Sequence, residues 1–221
     1  PHMARALNSV GSAYQQLGDV QRGLAYQEQA LEMRRQLYGE VPHPDVARSL
    51  GSIGASYQWL GDMDKSLTYQ KQALEMRRQF YGETPHPDLI TSLNGVGTIY
   101  ETLGEVREGI TYQEQALKMH QVLYGEAPHP DLAMFLNNVG GNYQRLGEVR
   151  KGLAYKEKAL VMYQTLYGEA PHIDIVSSLH NVGTSYEKLG QAKSAKQYFE
   201  KGLELSHKLN AVRAAPYTQA F

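Results

Sequence analysis

LGSIGASYQWLGD, residues 50–62, decides the fold, because its Leu50, Gly54, Tyr57, Leu60 and Gly61 return at a fixed distance. They come back 43 residues on as Leu93, Gly97, Tyr100, Leu103 and Gly104, and 43 further as Leu136, Gly140, Tyr143, Leu146 and Gly147. The frame runs back to Leu7, Gly11, Tyr14, Leu17 and Gly18, and forward to Leu179, Gly183, Tyr186, Leu189 and Gly190. Five units in 221 residues form a tandem array, and this period is that of a stacked solenoid. Each unit then touches mainly its neighbours, so one elongated body without an internal boundary is expected.

One unit encodes a helical hairpin. Val46, Leu50, Ile53, Gly54, Tyr57 and Leu60 are spaced by three and four and draw a buried stripe on a first helix. Gly61-Asp62 breaks it, and Met63, Leu67, Tyr69, Ala73, Leu74, Met76 and Phe80 draw a second stripe that ends near Tyr81-Gly82. Gly82 suits the positive-φ end of that helix, and Pro85 and Pro87 bar its continuation. Asp88 then places a carboxylate at the positive end of the next first helix. The punctuation recurs after Tyr38, Tyr124 and Tyr167, with Ile173 where the other loops have proline.

Recurrence also sorts architecture from function. Gly11, Gly54, Gly97, Gly140 and Gly183 sit mid-helix at about 1 kcal/mol each, which close approach of the small residues Gly23, Ser66, Gly109, Gly152 and Ala195 would offset. Fourteen of the sixteen tyrosines fall at three recurrent positions and are assigned to packing rather than to an aromatic box. His43, His86, His129 and His172 come one per loop, a whole repeat apart, and are read as loop residues rather than metal ligands.

Net charge is −1, from 22 basic and 23 acidic residues spread along the chain, which gives no electrostatic footprint for nucleic acid. No apolar stretch approaches the ~20 residues of a membrane helix, so no membrane partner is expected. The absence of cysteine removes disulfides and thiolate metal sites and fits a cytoplasmic location. Gly95-Val96-Gly97 and Gly140-Gly141 lie inside helices and not between a strand and a helix, so phosphate-loop readings fail on context. No catalytic residue, cofactor or metal is assigned. Pro1-His2-Met3 resembles a cloning scar, because Ala4 already matches the interior of a repeat.

Paired helices, small residues at the closest contact, a tyrosine ahead of Leu-Gly and Ala-Leu late in the second helix resemble the tetratricopeptide repeat (TPR). The Gly-Glu-x-Pro-His-Pro-Asp loop and Leu136-Asn137-Asn138-Val139-Gly140 are similar to the kinesin light chain-like and nephrocystin-like subgroup. The loop carries one residue more than kinesin light chains, at Val41, Thr84, Ala127 or Ala170. The resemblance implies an all-α fold, an α-solenoid of five helix-turn-helix TPR units forming a right-handed superhelix. It would span residues 4–208 as a single domain with repeats about 4–43, 44–86, 87–129, 130–172 and 173–208, and leave 209–221 as a tail or partial cap.

The resemblance further implies that the first helices line a concave groove for an extended or short helical peptide. Groove candidates there are Asn8, Ser12 and Gln15; Arg48, Gln58 and Trp59; Asn94, Thr98 and Glu101; Asn137, Asn138, Gly141 and Arg145; and Asn181. Amides donate and accept at once, which suits a peptide backbone, and the small residues leave room for its side chains. Trp59 is the only tryptophan, and its equivalents are Gln16, Thr102, Arg145 and Lys188; it is either a partner anchor or packing against the adjacent repeat. A carboxylate clamp lacks its lysines, because Asn8, Gly51 and Asn94 stand in their places. The expected partner is a protein or peptide, in an adaptor or scaffold role without enzymatic activity. The alternative is a structural, sensing or oligomerisation segment of a larger signalling ATPase or receptor, and exposed terminal repeats allow self-association.

Overall fold

The computed structural model describes residues 2–82, 84–125 and 127–214. Among them are ten helices and no strand, paired as the recurrence predicts. The first helices are α1 (His2–Gln16), α3 (Pro44–Trp59), α5 (Pro87–Thr102), α7 (Pro130–Arg145) and α9 (Ile173–Lys188). The second are α2 (Val20–Tyr38), α4 (Met63–Tyr81), α6 (Val106–Tyr124), α8 (Val149–Tyr167) and α10 (Ala192–Ala214). Two compact units emerge, Pro1–Leu123 and Tyr124–Phe221. In the first, α1 pairs with α2 and α3 with α4, while α2 packs on α3 and α4 on α5. In the second, α7 pairs with α8 and α9 with α10, while α8 packs on α9. Helix α10 continues past the expected end of the array to Ala214, and residues 215–221 of the tail lie outside the described residues.

The core follows the predicted stripes. Val46, Leu50, Ile53 and Gly54 of α3 are buried, and the first three meet Leu31 of α2 and Ala73 of α4 in one apolar cluster. Burial contributes about 1.5–3 kcal/mol for each large aliphatic side chain. Two stripe residues depart: Leu60 and Phe80 are exposed. Leu60 is the residue that closes α3, and Phe80 at the end of α4 stands edge-on to Tyr81 at 5.0 Å and tilts over His43. It shields the preceding loop and stays outside the core.

The mid-helix glycines sit where the helices come closest. A Cβ on Gly11 would meet the Gly23 carbonyl oxygen at 2.7 Å, and one on Gly140 the Gly152 oxygen at 2.7 Å. In three hairpins the nearest obstacle differs from the predicted small residue: at Gly54 it is the Gln70 side chain, at Gly97 the Gln113 side chain at 2.7 Å with the Gly109 oxygen next at 2.8 Å, and at Gly183 the Phe199 ring. Helix-to-helix contact is therefore backbone on backbone in some repeats and backbone under a side chain in others.

The loop histidines have a role that sequence reasoning missed. His43 caps α3, its Nδ1 accepting the Asp45 N–H at 3.1 Å, while its ring stacks on Tyr38 at 3.5 Å between centroids. The Tyr38 hydroxyl donates to Asp45 Oδ2, which ties the end of α2 to the start of α3. The same latch joins Tyr81, His86 and Asp88, and again Tyr167, His172 and Asp174. Ile173 in place of proline leaves this cap intact. Burial, then the carboxylate partner, holds the Tyr38, Tyr81 and Tyr167 phenols above their ordinary range.

Candidate functional site

The candidate residues divide between the two units. The first holds Asn8, Ser12, Gln15, Arg48, Gln58, Trp59, Asn94, Thr98 and Glu101, and the second holds Asn137, Asn138, Gly141, Arg145 and Asn181. Helix periodicity places each set on the faces of α1, α3 and α5, or of α7 and α9, that the buried stripes leave uncovered.

Many of these side chains already have partners. Asn8 Nδ2 donates across to Ser52 Oγ at 3.1 Å. The Ser12 and Thr98 hydroxyls donate to the carbonyls of Asn8 and Asn94 one turn back, which leaves them acceptors toward a ligand. Arg48 pairs with Asp45 at 3.0 Å. Behind it Arg34 is buried and bonded to Ser49, and desolvation lowers its guanidinium while Asp45 works against that. The next repeat sets Arg77 on Ser92 in the same way.

The amides behave differently. Asn94, Asn137, Asn138 and Asn181 are half-buried, and among the described residues their side chains make no hydrogen bond. The Oδ1 atoms of Asn94 and Asn137 are enclosed without a donor. Gly141 opens onto free space, with nothing within 4 Å of a Cβ placed there.

Trp59 is 73% exposed, so it is not packed into the adjacent repeat. It forms one wall of an open hollow of 640 Å³ that Ser12, Gln15, Gln16, Gly18 and Val20 complete. Three predicted residues, Ser12, Gln15 and Trp59, thus come together at the seam between the first two hairpins. Leu17, 81% exposed, extends the apolar surface at the same turn.

Below this hollow lies a polar ring that sequence reasoning did not find. Gln15 Nε2 donates to Ser56 Oγ, Ser56 donates to Gln27 Oε1, and Gln27 Nε2 donates to Gln15 Oε1 at 3.2 Å. Each member donates once and accepts once, so the buried Gln27 and Ser56 are satisfied without water. Gln15 therefore serves as a tie between hairpins. The register equivalents in the second unit are Gln144, Ser185 and Lys156. Gln144 again donates to Ser185, but Lys156 Nζ donates to Gln144 Oε1 at 2.7 Å. A break in recurrence at Lys156, where Gln27, Gln70 and Gln113 precede it, is the signal that would have found it.

Among the described residues, no cluster of three or more potential metal ligands occurs, and no helix is long and apolar enough to cross a membrane.

Family models described as tetratricopeptide repeat match residues 3–45, 45–121 and 131–207. No curated protein matches the chain. Among solved structures, BtubC (BKLC) from P. vanneervenii superposes at a TM-score of 0.84 with 21% identity, over 97% of this chain and 84% of that one. The nearly identical TPR-like repeats of a kinesin light chain candidate from Podosopora anserina superpose at 0.83 with 19% identity, over 96% and 99%. The apo form of RapI superposes at 0.79 with 16% identity, over 94% and 72%.

Proposed function

The chain belongs to the tetratricopeptide repeat family, and from that premise we propose that it is a protein-interaction module whose first helices hold an extended or short helical peptide of a partner. The observation that carries this reading is the set of half-buried amides, Asn94, Asn137, Asn138 and Asn181, whose hydrogen-bonding capacity nothing in the protein uses. A half-buried amide without partners forgoes about 0.5–1.5 kcal/mol per missing bond, and a peptide backbone offers a donor and an acceptor at every residue. Trp59 supplies an anchor of the type that dominates binding energy at interfaces, beside an open hollow of 640 Å³. The role is that of an adaptor or scaffold, acting in the cytoplasm without chemistry of its own.

Affinity capture of partners with the wild-type chain and with a combined Asn94→Ala, Asn137→Ala and Asn138→Ala variant tests the reading. Loss of the partners recovered by wild type, with an unchanged thermal melt, is the expected result. Equal recovery of every partner by both chains removes the groove.

A further inference from the structure

Lys156 carries a charge that the fold does not answer. Its stem lies over the glycine notch of α7, so that a Cβ on Gly140 would meet its Cγ at 2.9 Å, and its ammonium reaches the seam between α7 and α9. There it is 6% exposed and makes one hydrogen bond, to Gln144 Oε1. An ammonium has three N–H donors, so two are unspent. Ser185, which in the closed ring would turn its hydroxyl toward the α8 residue, donates at 2.7 Å to the Asn181 carbonyl, because a lysine accepts nothing. The chain Lys156, Gln144, Ser185, Asn181 is open at its cationic end.

No carboxylate balances that end. The charge felt by Lys156 is Lys188, a second cation on the exposed face of α9. On the same helix Glu157 accepts the Tyr186 hydroxyl, and the one hydrogen bond of Lys156 goes to an amide rather than to a carboxylate. Desolvation and Lys188 together push the ammonium down to about 8, the mark of a buried cation without a counterion. A buried charge is ordinarily paired, and this one has two donors and a cationic neighbour but no anion.

We propose that Lys156 and Lys188 form a subsite for a carboxylate side chain of the bound partner, with an acidic residue completing the hydrogen bonds that Lys156 leaves open. This rests on the peptide-binding reading of the first helices and adds a chemistry to it: the partner carries a glutamate or aspartate where it crosses the seam of α7 and α9. The ring of Gln15, Gln27 and Ser56 has no such vacancy and selects no charge. A charge-assisted bond from each cation makes the discrimination between an acid and its amide tenfold or more.

The test is a titration of the full chain, labelled with nitrogen-15, by the blocked peptide acetyl-Gly-Glu-Gly-amide. Comparison arms are the same peptide with glutamine, acetyl-Gly-Gly-Gly with a free carboxylate, and inorganic phosphate. The glutamate peptide is expected to move the Gln144 side-chain and Ser185 amide signals saturably, with a dissociation constant on the order of millimolar. The glutamine peptide should bind at least tenfold more weakly. Lys156→Gln, which restores the residue of the closed ring, should abolish the response while its spectrum stays dispersed. Equal shifts with glutamate and glutamine, no saturable shift, or an unchanged response in Lys156→Gln overturns the subsite. A response confined to the free terminus or to phosphate overturns its assignment to an acidic side chain. The combined asparagine variant keeps the glutamate response even where it loses partners, which separates failure of the groove from failure of the subsite.

Discussion

The seam of the first two hairpins and the seam of the last two have the same backbone and opposite chemistry. In the first, Gln27 closes a neutral ring with Gln15 and Ser56, and Trp59 stands above it. In the second, Lys156 opens the ring, and Lys188 occupies the register of Trp59. A hollow of 470 Å³ at the second seam shares only Gly147 and Val149 in register with the first, and Glu148, Arg150, Lys151 and Leu189 complete it. One helical frame therefore carries a neutral ring and an exposed tryptophan at one seam, and two lysines at the same register positions at the other. The difference teaches that the repeat fixes the backbone, and two substitutions fix the charge and aromatic character carried on it.

The frame itself is tested by the largest effect. In both seams a side chain at the notch glycine would strike a carbonyl oxygen, of Gly23 or of Gly152, and next the stem of Gln27 or Lys156. Gly11→Leu and Gly140→Leu should each cost more than about 3 kcal/mol, at the upper end of overpacking, because backbone cannot rotate away as a side chain can. Urea denaturation of the two variants should give matched losses. A large loss in one and none in the other would break the claim that the two seams share a frame.

Next comes the charge. Lowering an ammonium from 10.5 to about 8 corresponds to about 3 kcal/mol of penalty for holding the charged form in the fold. Lys156→Gln should therefore raise stability at pH 7 by up to about 3 kcal/mol, and Gln27→Lys should lower it by a similar amount. The sign with pH follows from the depressed value: the unfolded chain holds the Lys156 proton up to 10.5 while the folded chain releases it near 8, so wild-type stability rises over that window. The gain from Lys156→Gln should shrink as pH rises from 8 toward 10.5, read as the difference between the two melting curves. A gain that is constant with pH would mean that packing, not charge, separates the two seams.

The hairpins were legible in the sequence because period and spacing report backbone geometry directly. The notch glycines, the helix-ending Gly39, Gly82 and Gly168 with φ near 60°, and the first-turn aspartates all fell where recurrence put them. The polar ring was not legible. Its members come from α1, α2 and α3 and lie 12, 29 and 41 residues apart, so no local pattern relates them. The histidine caps were missed for a related reason: capping by an imidazole depends on Nδ1 reaching the next helix, which the stack on a tyrosine from the preceding helix arranges. Nothing in the sequence separates Gln15 from Asn94 and Asn137, yet the Gln15 amide holds two hairpins together while the Asn94 and Asn137 Oδ1 atoms have no donor.

The smallest effect on stability is also the sharpest on function. Trp59 leaves 73% of its surface in solvent, so Trp59→Ala removes little buried area and should change the thermal melt by less than about 0.5 kcal/mol, the range of surface substitutions. Lys188→Ala at the equivalent position should be as mild, since that side chain is also exposed. Their effects on binding should diverge. Loss of Trp59 removes an apolar anchor and should weaken partner binding by about 2 kcal/mol or more, with little dependence on salt. Loss of Lys188 removes one cation of a pair and should weaken binding to acidic partners by less, with a cost that fades as ionic strength rises. Titrations at low and high salt therefore read the chemistry of each seam separately. If Trp59→Ala is the salt-sensitive variant, or if both variants lose affinity in parallel, the two seams do not differ in what they recognise, whatever their rings look like.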